Sequence, residues 1–322
     1  MKGLELSKAY YEAVGKSMIA NMFAEYEQRI AVGLVGQGSE CYGYDDRLSV
    51  DHNFGPSFCM WLTEKDYSEI GVSLQKEYEN LPGEFMGFPR RKEDSYSKGR
   101  VGALCIPEFY MNFIGTPKAP DKPIQWLRIP ESALSTATNG QVFFDGFGDF
   151  SEVRRSLLQY YPDDVRLKKI AARAAVMAQS GQYNYDRCMR RGEAVAARMA
   201  IGEFIPAATS IFFLLNKQYQ PFYKWAHKMM REDQDMAIVA GLLKELSLSS
   251  IFELAWGNDS PPNPNTQDGI VNIIEQICGT VIEKFKKEGL SDSKSDFLLV
   301  HAEEVMKRIE EPAIRALHVM DG

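Results

Sequence analysis

The strongest constraint on the fold is a short aliphatic run, residues 30–35 (IAVGLV), that ends in Gly36-Gln37-Gly38-Ser39. A run of this length, rich in β-branched residues and closed by glycine, predicts a buried strand entering a turn. Gly38 lets the backbone approach a ligand closely and Ser39 adds a hydroxyl. The amides that follow are expected at a helix N-terminus, where anionic phosphate is favoured. Asp51-His52-Asn53 comes next, in a segment expected to be extended. Asp51 and Asn53, two apart, share one face of such a segment while His52 takes the other. Oxygen donors on one face suit Mg²⁺, whose shell is commonly completed by substrate phosphates. Gly55-Pro56 interrupts the segment and residues 57–63 resume it as a strand.

The flanking sequence supplies helices and further strands. Residues 4–29 carry apolar side chains at helical spacing and predict an amphipathic helix leading into the first strand. Thr63 is a candidate N-cap for a helix over residues 64–79, with Glu64 and Asp66 in its first turn and Pro82-Gly83 beyond its end. Residues 88–98 (FPRRKEDSYSK) lack periodicity and are expected as a solvated connection, or else a basic lid over an acidic substrate. Strands are predicted at 100–106 and 141–144, with a short helix opening at Pro107-Glu108 and a proline-rich loop at 115–123. From Asp149 onward the pattern is helical, with Asp149 or Ser151 as a cap. Pro162 starts a helix that Ser180-Gly181 should end, and a helix over 184–203 would align Arg187, Arg191 and Arg198. Residues 204–216 read as a core helix, and 270–285 as an amphipathic helix stopped by Gly289.

The order of strand, Gly-Ser, gap and metal-ligand pair resembles the polymerase-β-type nucleotidyltransferases, whose Gly-Ser grips a triphosphate and whose carboxylates bind two Mg²⁺. Residues 38–56 (GSECYGYDDRLSVDHNFGP) resemble a bacterial branch of that superfamily more closely. The branch's later strings match at 160–162 (YYP), 214–219 (LLNKQY) and 221–225 (PFYKW). The resemblance implies an α/β (α+β) nucleotidyltransferase palm over residues 1–150 and an all-helical domain over 151–322. It implies transfer of a nucleoside monophosphate from a nucleoside triphosphate to an acceptor. Gly38 and Ser39 would hold the phosphates, and Asp51 and Asn53 would carry Mg²⁺ and the catalysis. By similarity to members resembling kanamycin nucleotidyltransferase, Lys217, Tyr223 and Lys224 would reach the triphosphate, Lys224 foremost.

Two departures matter. Asn53 stands where the family has a second carboxylate, and the 100–106 strand contains no acid to serve as the third. Glu108 and Asp145 are near enough to strand ends to replace it, although an acid there is more commonly a turn or helix cap. The alternative is therefore a nucleotide-binding regulatory protein with weak or no catalysis. A third option is an interaction scaffold.

Composition narrows the remaining classes. With 45% hydrophobic and 25% charged residues the chain is of ordinary globular type. A net charge of −7 disfavours nucleic acid as the acceptor, leaving a small molecule or a protein. Five scattered cysteines without Cys-x-x-Cys spacing suggest neither disulfides nor zinc, and a reducing cytoplasm is the simpler expectation. No signal peptide and no membrane span is expected.

Overall fold

Residues 4–29, expected as one helix, form four pieces in the computed structural model: α1 (Gly3–Tyr10), a π turn (Tyr11–Gly15), α2 (Lys16–Met22) and a 3₁₀ turn (Ala24–Arg29). The π turn sets Gly15 against Phe58, where a Cβ would lie 2.5 Å from the ring. The helix runs on through this π turn to Met22 and gives way to the 3₁₀ turn only after Phe23, φ −135°. The structure describes residues 1–49, 54–91, 99–251, 256 and 264–322. Asp51, His52 and Asn53 lie outside the described residues.

The aliphatic run forms β1 (Ala31–Leu34), and β2 (Cys59–Leu62) pairs with it antiparallel. Helix α3 (Glu64–Glu79) then begins at Thr63, whose Oγ1 accepts the Asp66 N–H at 3.3 Å, as the cap expected from the sequence. Asp66 is buried and receives the Arg29 guanidinium through both Nε, at 3.0 Å, and Nη2. A two-residue hairpin, β3 (Glu84–Phe85) with β4 (Phe88–Pro89), precedes β5 (Gly102–Cys105), which lies parallel to β2. A parallel pair needs a long crossover, and α3 supplies it.

Helix α4 (Ile106–Ile114) follows directly. Next come α5 (Pro123–Arg128), α6 (Glu131–Thr138), β6 (Gln141–Phe144) and α7 (Asp149–Leu158). The four-stranded sheet has the order β5-β2-β1-β6. Helices α5 and α6 are absent from the sequence reading, since the neighbouring Pro/Gly-rich stretch hides their short periodicity. The N-cap of α7 is Gly148 rather than Asp149 or Ser151. Asp145 caps it from outside by accepting Gly148 N and Ser151 N at 2.9 and 2.8 Å.

The chain divides into two units, Met1–Pro120 with Ile129–Tyr160, and Asp121–Arg128 with Tyr161–Gly322. The first is mixed α+β, and β2 is its centre, with all four residues at 0% exposure. Trp61 stacks on Phe150 at 3.9 Å between centroids and meets the edge of Phe109 at 5.6 Å. Phe58 is ringed by Tyr10, Tyr11 and Tyr78.

The elements described in the second unit are helices. Helix α8 (Asp163–Met177) runs through a π turn (Ala178–Tyr185) into α9 (Asp186–Arg190), so Ser180-Gly181 does not end it. Gly181 instead packs on Phe204, where a Cβ would stand 2.4 Å from the ring. The chain breaks at Gly192, and α10 (Ala194–Leu215) starts afresh. The expected arginine stripe is therefore split. Arg187 covers the Tyr183 ring, while Arg198 donates to the Ser249 carbonyl at 3.2 Å.

Helix α10 is long and apolar enough to cross a membrane, but 67% of that window is buried, as in a core helix. Helices α11 (Tyr223–Glu232), α12 (Ala237–Leu248), α13 (Gly269–Lys287), α14 (Leu298–Lys307) and α15 (Pro312–Arg315) complete the unit. Asp268 caps α13 at Val271 N and also accepts from Trp256 Nε1 at 2.8 Å.

Phe150→Ala should cost about 3–5 kcal/mol, because it empties the stacking partner of a fully buried tryptophan. Denaturant unfolding followed by tryptophan fluorescence measures it. A cost under about 1 kcal/mol would contradict the placement of this core.

Candidate functional site

The glycine loop leaves β1 at Val35, and one side chain pairs with both polar groups of its first glycine. Asn139, between α6 and β6, accepts Gly36 N through Oδ1 and donates to Gly36 O through Nδ2, both at 2.8 Å. The amide thereby copies a strand neighbour and fixes the loop's departure. Gly140 N donates to Cys41 O at 2.9 Å, and Arg154 Nη2 donates to Asn139 O at 3.0 Å. Tyr42 OH lies 3.1 Å from Ser135 Oγ. The loop is thus tied on one side to residues 135–140, a connection that no spacing in the sequence announces.

The helix expected after Ser39 is one 3₁₀ turn, Glu40–Tyr42, in which Tyr42 N and Tyr44 N both donate to Ser39 O at 3.1 and 2.9 Å. Gly43 in the left-handed region, φ +69°, ends the turn before a dipole can build. Any anion site here therefore consists of the loop and its side chains. Gly38, φ +133°, and Ser39 are half-buried. The Ser39 hydroxyl has no hydrogen bond among the described residues.

Directly beneath lies a buried ion pair. Arg91 Nη1 donates to Glu40 Oε1 at 3.1 Å, with the two side chains 4% and 12% exposed. The Glu40 carboxylate lies against Gly38, where a Cβ would be 2.4 Å from Oε1, so only glycine fits at position 38. Arg91 also contradicts the expectation that 88–98 is simply a solvated connection, while residues 92–98 lie outside the described residues.

Both aspartates of the Asp45-Asp46 pair have local roles. Asp46 Oδ1 accepts Leu48 N and Ser49 N in a turn. Asp45 is buried; Oδ2 accepts Gly3 N at 2.9 Å at the start of α1, and Oδ1 has no partner among the described residues. Burial pushes the Cys59 thiol up to about 12 and that of Cys41 well above the ordinary range, so neither is a thiolate nucleophile at neutral pH.

Asp51 and Asn53, expected to carry metal, lie outside the described residues. Among the described residues no group of three His, Cys, Asp or Glu is placed to hold a metal ion. The donors the sequence offers next to the loop, a carboxylate and an amide oxygen, are hard ligands and fit Mg²⁺ chemically. The candidates for a third carboxylate are otherwise placed: Asp145 caps α7 with both oxygens, and Glu108 is exposed in the first turn of α4.

Lys217, Tyr223 and Lys224 belong to the second unit and are exposed there. Lys217 has φ +52° just past the end of α10, and Tyr223 and Lys224 open α11. Within the same unit the strings YYP and LLNKQY meet, since Tyr161 packs edge-on to Tyr219 at 5.1 Å and to Trp126 at 6.0 Å.

The first unit is therefore a mixed α+β fold that presents a braced glycine loop, and the second is built of helices. A family described as a domain of unknown function (DUF4037) matches residues 126–226, the stretch that contains Trp126, Tyr161 and Tyr219. A crystal structure of a nucleotidyltransferase-like protein from Exiguobacterium sibiricum aligns with 91% of this chain and 80% of its own, at 11% identity and a TM-score of 0.37. No curated protein matches the sequence.

Asn139→Ala should release the loop and leave both Gly36 polar groups unpaired, at a cost of roughly 1–3 kcal/mol. Unfolding together with amide exchange at Gly36 checks this. Unchanged protection at Gly36 would show that Asn139 does not hold the loop.

Proposed function

We propose that the chain is a nucleotidyltransferase-type protein that binds a nucleoside triphosphate at the Gly36–Ser39 loop and transfers the nucleoside monophosphate to an acceptor. The observation that carries the reading is the loop itself. It leaves a buried strand, is braced by Asn139, and offers a half-exposed Ser39 hydroxyl with no partner among the described residues, beside Gly38. Such a hydroxyl is available to donate to a phosphate oxygen, and Gly38 lets the phosphate approach the backbone.

In this reading Asp51 and Asn53 hold Mg²⁺, which when bound neutralises triphosphate charge. Lys217, Tyr223 and Lys224, exposed on the second unit, offer positive charge and a hydroxyl of the kind that suits a polyphosphate. Positioning and fixed charge, rather than a protein nucleophile, supply the catalysis. The acidic net charge of −7 makes a small molecule or protein the acceptor in preference to nucleic acid, and a cytoplasmic setting accords with five unpaired cysteines.

One observation favours a second reading, a nucleotide-binding regulatory protein with little turnover. Asp145, a candidate replacement for the missing third carboxylate, has both oxygens occupied as a helix cap. Asn53 brings no charge to compensate.

Asp51→Ala should abolish Mg²⁺-dependent pyrophosphate release from triphosphates while leaving the melting temperature unchanged; undiminished release would remove Asp51 from the site. Asn53→Asp should strengthen Mg²⁺ binding and raise release, since it restores a negative ligand at nearly constant size. Stronger metal binding without turnover would favour the regulatory protein.

A further inference from the structure

We infer that Glu40 and Arg91 form an anion-recognition switch under the glycine loop, in which the unpaired, buried edge of the Arg91 guanidinium takes a phosphate of a polyphosphate ligand. The inference rests on the reading of residues 36–39 as a polyphosphate site.

Four observations lead to it. Arg91 is buried, yet its single ion pair among the described residues uses only Nη1. Nε is completely buried and without an acceptor, and Nη2 has no hydrogen bond among the described residues. Nε–H and Nη2–H point the same way from the guanidinium plane and make the two-pronged edge that matches a carboxylate or phosphate. Glu40 therefore neutralises the charge from one side and leaves unpaired the edge best suited to an oxyanion.

The position of Arg91 is also fixed in advance. Its neighbour Arg90 donates through Nη1 to the carbonyls of Tyr78, Glu79 and Leu81 at 2.9, 3.0 and 3.2 Å, clamping the chain to the end of α3. Gly55 packs directly on this backbone, where a Cβ would lie 2.8 Å from Arg91 N. The carboxylate partner meanwhile lies against Gly38, and the Arg91 charge reaches Cys41 and Cys59. A buried donor lacking an acceptor is costly unless a ligand supplies one. The contacts of Arg90 and Gly55 hold the backbone that enters Arg91.

Glu40 serves two purposes in this arrangement. It keeps a buried cation from standing alone in the ligand-free protein, and its negative charge opposes a phosphate until binding outweighs it. The ligand class is a pyrophosphate or the polyphosphate tail of a nucleotide.

Calorimetric titration of the full chain with inorganic pyrophosphate tests the switch. Wild type should bind, and Glu40→Gln should bind about tenfold more tightly, with a larger rise in melting temperature on adding pyrophosphate. Arg91→Lys, which keeps the charge but not the fork, should lose roughly tenfold. Because Arg91→Met alone leaves Glu40 buried without a partner, the double variant Glu40→Gln/Arg91→Met is the decisive one. It should fold and bind pyrophosphate roughly 10- to 100-fold more weakly than wild type. Equal affinity in the folded double variant, or no pyrophosphate binding by wild type, overturns the inference. Nucleotidyl transfer undiminished in the double variant would overturn it while leaving the transferase reading in place. Arg91-dependent pyrophosphate binding without any transfer would do the reverse.

Discussion

The complete burial of β2 is the constraint from which the first unit follows. A strand with no exposed residue must be covered on both faces, and the chain does this with aromatic side chains from distant segments. Trp61 takes Phe150 and Phe109 on one side, from α7 and α4. Phe58, just before the strand, collects Tyr10, Tyr11 and Tyr78 from the helices before and after it. The sheet order β5-β2-β1-β6 then leaves the β1 end open for the glycine loop, beside β6 and Asn139.

That loop is notable for how little of its rigidity is its own. Its single 3₁₀ turn cannot sustain a helix dipole, so the usual helix-terminus route to phosphate binding is closed. Rigidity is supplied by Asn139, Gly140 and Ser135 on one side and by the Glu40–Arg91 pair on the other. In the proposed anion site, a buried ion pair with one unpaired guanidinium edge would serve as preorganisation.

Much of the first unit was legible in the sequence, for local reasons. The strands at 31–34, 59–62, 102–105 and 141–144 are short apolar runs bounded by glycine, proline or polar residues, and Thr63 signals its helix by composition alone. Errors came where tertiary packing overrode local signals. Gly181 marks a tight contact with Phe204, not a helix end, and Gly192 breaks the stretch that was to align the arginines. Asp145 was correctly suspected of being a cap. The Glu40–Arg91 pair was out of reach, because 51 positions separate the two and neither residue carries a spacing that announces the other. Asp51 and Asn53 were named from the sequence, and they remain a proposal about chemistry.

Amide hydrogen exchange of the full chain, with and without a nucleoside triphosphate and Mg²⁺, addresses the central claim most directly, since it reads the loop itself. Binding at the glycine loop should slow exchange over residues 36–45, where the amides of Gly38 and Ser39 would meet phosphate, and in the segment containing Arg91. Nucleotide binding that leaves residues 36–45 unprotected, or that protects only the helical unit, would contradict it.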